Sequence, residues 1–287
     1  MGLRRAILGI AILVVGAFGL AGQSLIGRIE AFLQLKGSPV AASSAVLSEH
    51  EREEIDAMTP QDQLMRLLER TVNHYDGAGE EIEKRADSWI GKIKSSPDLT
   101  KLSDVAYFSS DLRVRAAALE VWRVEAGFMK SPETVAKLID DTTTKPDRMY
   151  FILSHLGIQG NRGIERDRVF EVLNRFAQDP EPNFRAAAIN GLALLGTENT
   201  IPVFLRILHD DSSHDLRERA ACNLADSGML SREQRTLAAP ELVRFAQDPN
   251  LDSVTKKYVY QALREITEQR IGDDPSAWAG WLGSIPR

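Results

Sequence analysis

The stretch Phe176–Gly196, FAQDPEPNFRAAAINGLALLG, decides the fold, because the chain says it again. Phe176–Pro180 and Phe245–Pro249 both read FAQDP, while Asp111–Ala117 reads DLRVRAA and Asp215–Ala221 reads DLRERAA. A shift of 32 residues lands Leu173 on Leu205, Arg185 on Arg217, Ala188 on Ala220, Leu192 on Leu224 and Gly196 on Gly228. One unit is therefore roughly 32–38 residues long, the length of a two-helix repeat. Within it Val169, Leu173 and Phe176 share one helical face. Asp179-Pro180-Glu181-Pro182 stops that helix, since proline cannot continue it. Phe184, Ala188, Leu192 and Leu195 line a second helix, and Gly196 ends it. The Ala186-Ala187-Ala188 run favours helix and lets a neighbouring helix approach closely. One such hairpin cannot bury both of its apolar stripes, so the stack is the folding unit.

The pattern Asp179-Pro180-x-Pro182-x-Phe184-Arg185-Ala186-Ala187-Ala188, with Leu192 and Gly196, resembles HEAT repeats of the bacterial HEAT-like class. Asp211, Leu216-Arg217, Ala220, Leu224 and Gly228 look like a second copy, and Val114–Ala118 like the start of another second helix. The resemblance spans about 100–270. It implies an all-α fold, an α-solenoid of about six helical hairpins that binds other macromolecules. It does not say which, because one fold hosts many functions.

The expected organisation is an N-terminal transmembrane anchor or signal peptide over 1–27 and a flexible or helical linker over 28–58. The HEAT-like domain follows over 59–270, and a capping tail over 271–287. Ala6–Gly27 carries no charge, and about 20 apolar residues span a bilayer core. A cleaved signal peptide is the rival reading. The length of the run and the helical spacing that continues through Ile29, Phe32 and Leu33 favour a retained anchor. Arg4 and Arg5 bias the N-terminus inward, which places the repeats on the extracytoplasmic side, or secreted if the signal is cleaved. Lys36–Ser48 is rich in Ala and Ser and reads as a tether; His50–Asp56 reads as a solvated charged helix face. Thr59-Pro60 starts the first hairpin as cap and first helical residue. Gly157, Gly160 and Gly163 are expected to loosen the connection after the third hairpin and so to place a bend there. In the tail, Trp278, Trp281 and Leu282 read as a cover over the last hairpin.

Asp and Glu (41) outnumber Lys and Arg (35), for a net charge of −6, which argues against a basic nucleic-acid footprint. The single cysteine, Cys222, excludes an internal disulfide and reads as a helix-packing residue. His209-Asp210 and His214-Asp215 lie near one turn but lack the ligand set of a zinc site. No metal, cofactor or catalytic residue is assigned. A relation to a HEAT-like iron hydroxylase fails, because only one His-Glu pair, His50-Glu51, occurs. Arg115, Arg185 and Arg217 recur at one position of the unit, approximated by Lys256. They read as stems packed along the hairpin with heads on the turn aspartate and carbonyls, rather than as a ladder for an acidic partner. The expected function is a membrane-tethered scaffold that binds a protein partner along its second helices. Arg123, Asn190, Glu218 and Lys257, off the apolar stripes, are the candidate contacts. The alternative is a lyase-like or small-molecule-handling HEAT-repeat protein, which needs a pocket of convergent polar groups.

Overall fold

The computed structural model describes residues 45–226 and 229–284. The expected span at 6–27, most of the expected tether and Gly228 lie outside these residues. Among the described residues no helix is long and apolar enough to cross a membrane.

Helix α1 (Glu49–Asp56) precedes six hairpins among the described residues. These are α2 (Pro60–Val72) with α3 (Ala78–Trp89), α4 (Pro97–Tyr107) with α5 (Leu112–Glu125), and α6 (Pro132–Thr144) with α7 (Met149–Asn161). Then come α8 (Arg166–Phe176) with α9 (Pro182–Leu195) and α10 (Ile201–Asp210) with α11 (His214–Asp226). A short α12 (Arg232–Thr236) leads to α13 (Ala239–Gln247) with α14 (Ser253–Thr267), and α15 (Pro275–Ser284) closes the chain. The second helices α3, α5, α7, α9, α11 and α14 pack on one another in sequence order, and each first helix packs on its own second helix. That is the stacked solenoid expected from the repeat.

The punctuation works as chemistry requires. Thr59, Ser96 and Ser131 each accept a backbone N–H in the first turn of the helix they precede, with proline at the next position. Gly196 ends α9 in the left-handed conformation, φ 60°, its N–H donating to the Leu192 carbonyl. At the far end Trp278 is fully buried, donates to the Gly272 carbonyl at 3.0 Å and meets Trp281 edge-on, so α15 covers the last hairpin.

Two expectations are corrected. The compact unit begins at Ala45, not Thr59. Leu47 and Ile55 are buried in the core, Leu47 N–H donates to the Asp76 carbonyl, and Asp76 N–H donates to that of Ala45. Residues 45–48, the described end of the expected tether, are therefore packed down, and Ile55 ties the charged helix to the core. Second, the glycines after the third hairpin do not loosen it. Gly157 and Gly160 lie inside α7, where a Cβ on Gly157 would fall 2.2 Å from the Gly191 carbonyl oxygen of α9. A Cβ on Gly191 would fall 2.6 Å from the Leu153 carbonyl oxygen. Missing side chains bring these two backbones together, so Gly157 and Gly160 make a close junction rather than a loose connection. Only Gly163, at φ 86°, serves as a turn residue.

The apolar core has two parts that share α5. Val114, Ala117, Ala118, Val121 and Val124 pack with α1–α4, whereas Leu112, Ala116 and Leu119 pack with the helices that follow. Tyr107 packs against both parts.

Candidate interaction surface

The four residues expected to meet a partner divide by helix. Arg123 on α5 is 1 % exposed. Its Nε donates to Glu120 Oε2 at 2.8 Å, its Nη1 donates to Asp87 Oδ1 at 2.6 Å and to the Phe128 carbonyl. Asn190 on α9 is buried, and its amide donates to Ser154 Oγ of α7 at 2.7 Å. Both are spent on joints between hairpins, so neither offers a side chain to a partner. The position off the apolar stripe is right for both; what the stripe misses is that α5 and α9 sit between neighbours on several sides. From Ile152 to Gly160 and from Ala187 to Leu195 every residue is buried.

Glu218 on α11 and Lys257 on α14 are exposed. Glu218 stands with Cys222, Tyr258, Gln261 and Glu265 along a shallow groove between these two helices, floored by Ala221, Ala225 and Ala262. The alanines bring α11 and α14 close, and the polar side chains stand along the rim. The groove is acidic: burial first, then Glu218 and Asp215, push the Tyr258 hydroxyl above its ordinary pKa. The last two second helices therefore carry the polar row that the central ones lack.

The recurring arginines act within the stack. Arg185 donates through Nε and Nη2 to Asp211 at 2.8 and 3.0 Å, a forked pair across one joint, and through Nη1 to the Asp179 and Pro180 carbonyls. Arg217 repeats this one unit on, from Nη1 to Asp252 at 2.7 Å and Thr255 at 2.9 Å. The expected turn aspartate is thus that of the following hairpin. Arg115 departs from the series, its buried Nε having no protein partner.

Among the described residues no group of three or more His, Cys, Asp or Glu is placed to hold a metal ion. His209 is not a bare turn residue. Its Nδ1 faces Asp210 and its Nε2 lies 3.1 Å from Asp248 Oδ2 of the next turn, with its ring 4.6 Å from that of Phe245. Asp210 first, then Asp248, raise its pKa against the opposing effect of burial.

A buried charged cluster escaped the sequence reading. Glu120 accepts from Arg123 and, at 3.1 Å, from Arg162, which also pairs with Glu83 at 3.0 Å. His155 and Gln159 of α7 lie beside it, 2 % and 1 % exposed. The signal was present: Glu120 and Arg123 are one turn apart inside the otherwise apolar stretch Ala116–Val124, spacing that favours an ion pair.

Residues 151–225 match the family model described as HEAT repeats. These residues are HEAT repeats. They span nearly all of α7 and run through α11, so the HEAT match holds the glycine junction and the Arg185 rung. No curated protein and no solved structure gives a significant match to the chain. The hairpins on either side continue the stack by the same helix-turn-helix packing.

Proposed function

We propose that the chain is a membrane-tethered scaffold that binds a protein partner through the polar surface of α11 and α14 and performs no catalysis of its own. The observation that carries this reading is the exposed row of Glu218, Cys222, Gln261 and Glu265, with Tyr258 half-buried among them, on helices whose counterparts α7 and α9 are sealed. Its acidic rim suits a partner segment that carries lysine or arginine. HEAT repeats are a protein-binding architecture, which supports the class of function. The uncharged run Ala6–Gly27 supports a tether, with the repeats on the extracytoplasmic side.

Crosslinking and affinity capture from intact membranes tests the surface. The wild-type chain is compared with a variant carrying Glu218→Lys and Glu265→Lys. The reading expects a specific partner to be lost from the variant while the variant keeps its helical content. An unchanged set of captured proteins would place the contact elsewhere on the molecule. A reporter active on one side of the membrane only, fused at the C-terminus, tests the tether; activity on the cytoplasmic side reverses the orientation.

A further inference from the structure

Three buried polar atoms at the junction of α5 and α7 have no partner in the protein: Arg123 Nη2, His155 Nε2 and Gln159 Oε1. Each belongs to a side chain from a residue at most 2 % exposed. Their surroundings define the role of each. A guanidinium nitrogen only donates. His155 Nδ1 lies 2.9 Å from the Phe151 carbonyl oxygen. A carbonyl only accepts, so Nδ1 holds the hydrogen. Burial, the largest influence, keeps the imidazole neutral by lowering its pKa to about 4, which leaves a lone pair on Nε2. Gln159 Nε2 donates to the Met129 carbonyl at 3.4 Å, which sets Oε1 as the accepting end. The set is one donor and two acceptors.

Their neighbours draw the three towards one place. His155 and Gln159 are four residues apart, on one face of α7. Arg123 Nη1 reaches the Phe128 carbonyl while Gln159 reaches the adjoining one of Met129. Arg123 is also close enough to His155 to act on its charge, against Glu120.

We propose that Arg123, His155 and Gln159 bind one buried water molecule that bridges the second helices of the second and third hairpins. The water accepts from Arg123 Nη2 and donates to His155 Nε2 and Gln159 Oε1. Its oxygen and both hydrogens are then engaged, the usual state of a buried water, which makes about three hydrogen bonds. Other occupants suit the set less well. An anion would face the lone pairs of Nε2 and Oε1, and a metal cation would face the Arg123 guanidinium. The water joins α5 to α7 where the apolar core divides.

A crystal structure of the full chain, with solution NMR of the same protein, tests this. The expected result is a single water peak within about 3.2 Å of all three atoms. In solution the His155 ring protons should show a cross-peak to a long-lived water. Gln159→Met, which keeps the volume and removes the acceptor, should abolish that cross-peak. A direct bond between Arg123 Nη2 and Gln159 Oε1 would overturn the proposal. So would a dry contact among the three side chains, or density of an ion in place of water. A cross-peak that persists undiminished in folded Gln159→Met would also overturn it. If that variant does not fold, the wild-type density and cross-peak decide.

Discussion

At the scale of single residues, the same change has opposite signs at two glycines. Gly157→Ala places a methyl group against the Gly191 backbone, which cannot turn away as a side chain could. The expected cost is about 3 kcal/mol, at the upper end for overpacking. Gly280 in α15 is exposed with nothing within 4 Å of a new Cβ, so Gly280→Ala should stabilise by about 0.5–1 kcal/mol through helix propensity. Urea unfolding of both variants checks the pair. Two histidines differ in sign as well. His155 is held neutral, its pKa lowered chiefly by burial to about 4. Below the unfolded value of about 6.5 the unfolded chain takes up a proton that the folded one refuses. Stability should therefore fall as pH drops from there towards 4, and His155→Phe should remove that part of the slope. The raised pKa of His209, which faces Asp210 and Asp248, works the other way. Its contribution is complete below about 6.5 and is lost as pH rises through the folded value. His209→Phe should therefore destabilise more at pH 5.5 than at pH 9. Proton-detected histidine titrations, read beside urea midpoints, follow both.

Between elements, the arginine rungs turn a sequence repeat into a mechanical link. The side chains of Arg185 and Asp211 are 11 % and 6 % exposed, so Arg185→Ala strands a carboxylate away from water. The expected loss is about 3 kcal/mol. The partner of Arg217, Asp252, is 40 % exposed, and solvent screens that pair. Arg217→Ala should cost about 1 kcal/mol or less, by the same unfolding measurement. The repeat made these rungs legible, because an arginine that returns at one position of the fourth and fifth hairpins does the same job in both. The hairpins, the Thr59 cap, the Gly196 terminus and the tryptophan cover were legible for the same local reasons. Three things were not. Gly157 and Gly160 have no side chain to declare a face, so close approach and looseness read alike in the sequence. Leu47 ends an Ala/Ser-rich run and Ile55 stands among charges, too few for a stripe, yet each reaches the core. Arg123 and Asn190 lie off the apolar stripe as a surface residue would, but the second helices around them close on more than one side. Glu218 and Lys257 follow the same rule and are exposed, because they sit nearer the end of the array.

Over the whole array, stability is a sum of hairpins and of the joints between them, so unequal joints give unequal cooperativity. From α7 onward the joints are alanine, glycine and leucine at close range, with the Arg185–Asp211 and Arg217–Asp252 ion pairs over the turns. Between α5 and α7 aromatic rings and buried charges stand beside the apolar contacts of Leu112, Ala116 and Leu119. Tyr107 lies 4.5 Å from Trp122, which lies 6.1 Å from Phe151, and the Glu120–Arg123–Arg162 cluster stands nearby. Buried ion pairs contribute little net stability, because their desolvation offsets their attraction. Tyr107, packed against both parts of the core, is then the side chain whose loss should separate them. Tyr107→Ala should cost about 2 kcal/mol, below the roughly 3–5 of a fully buried aromatic, since part of the ring meets water. The form of the transition matters more than its midpoint. Hydrogen exchange along a urea series should show α2–α5 losing protection at lower denaturant than α7–α14 in the variant, with the wild type opening nearer to one step. Tyr107→Phe, which keeps the ring, should behave as the wild type. If Tyr107→Ala instead opens all six hairpins together, the two core parts are one cooperative unit and α5 is no boundary.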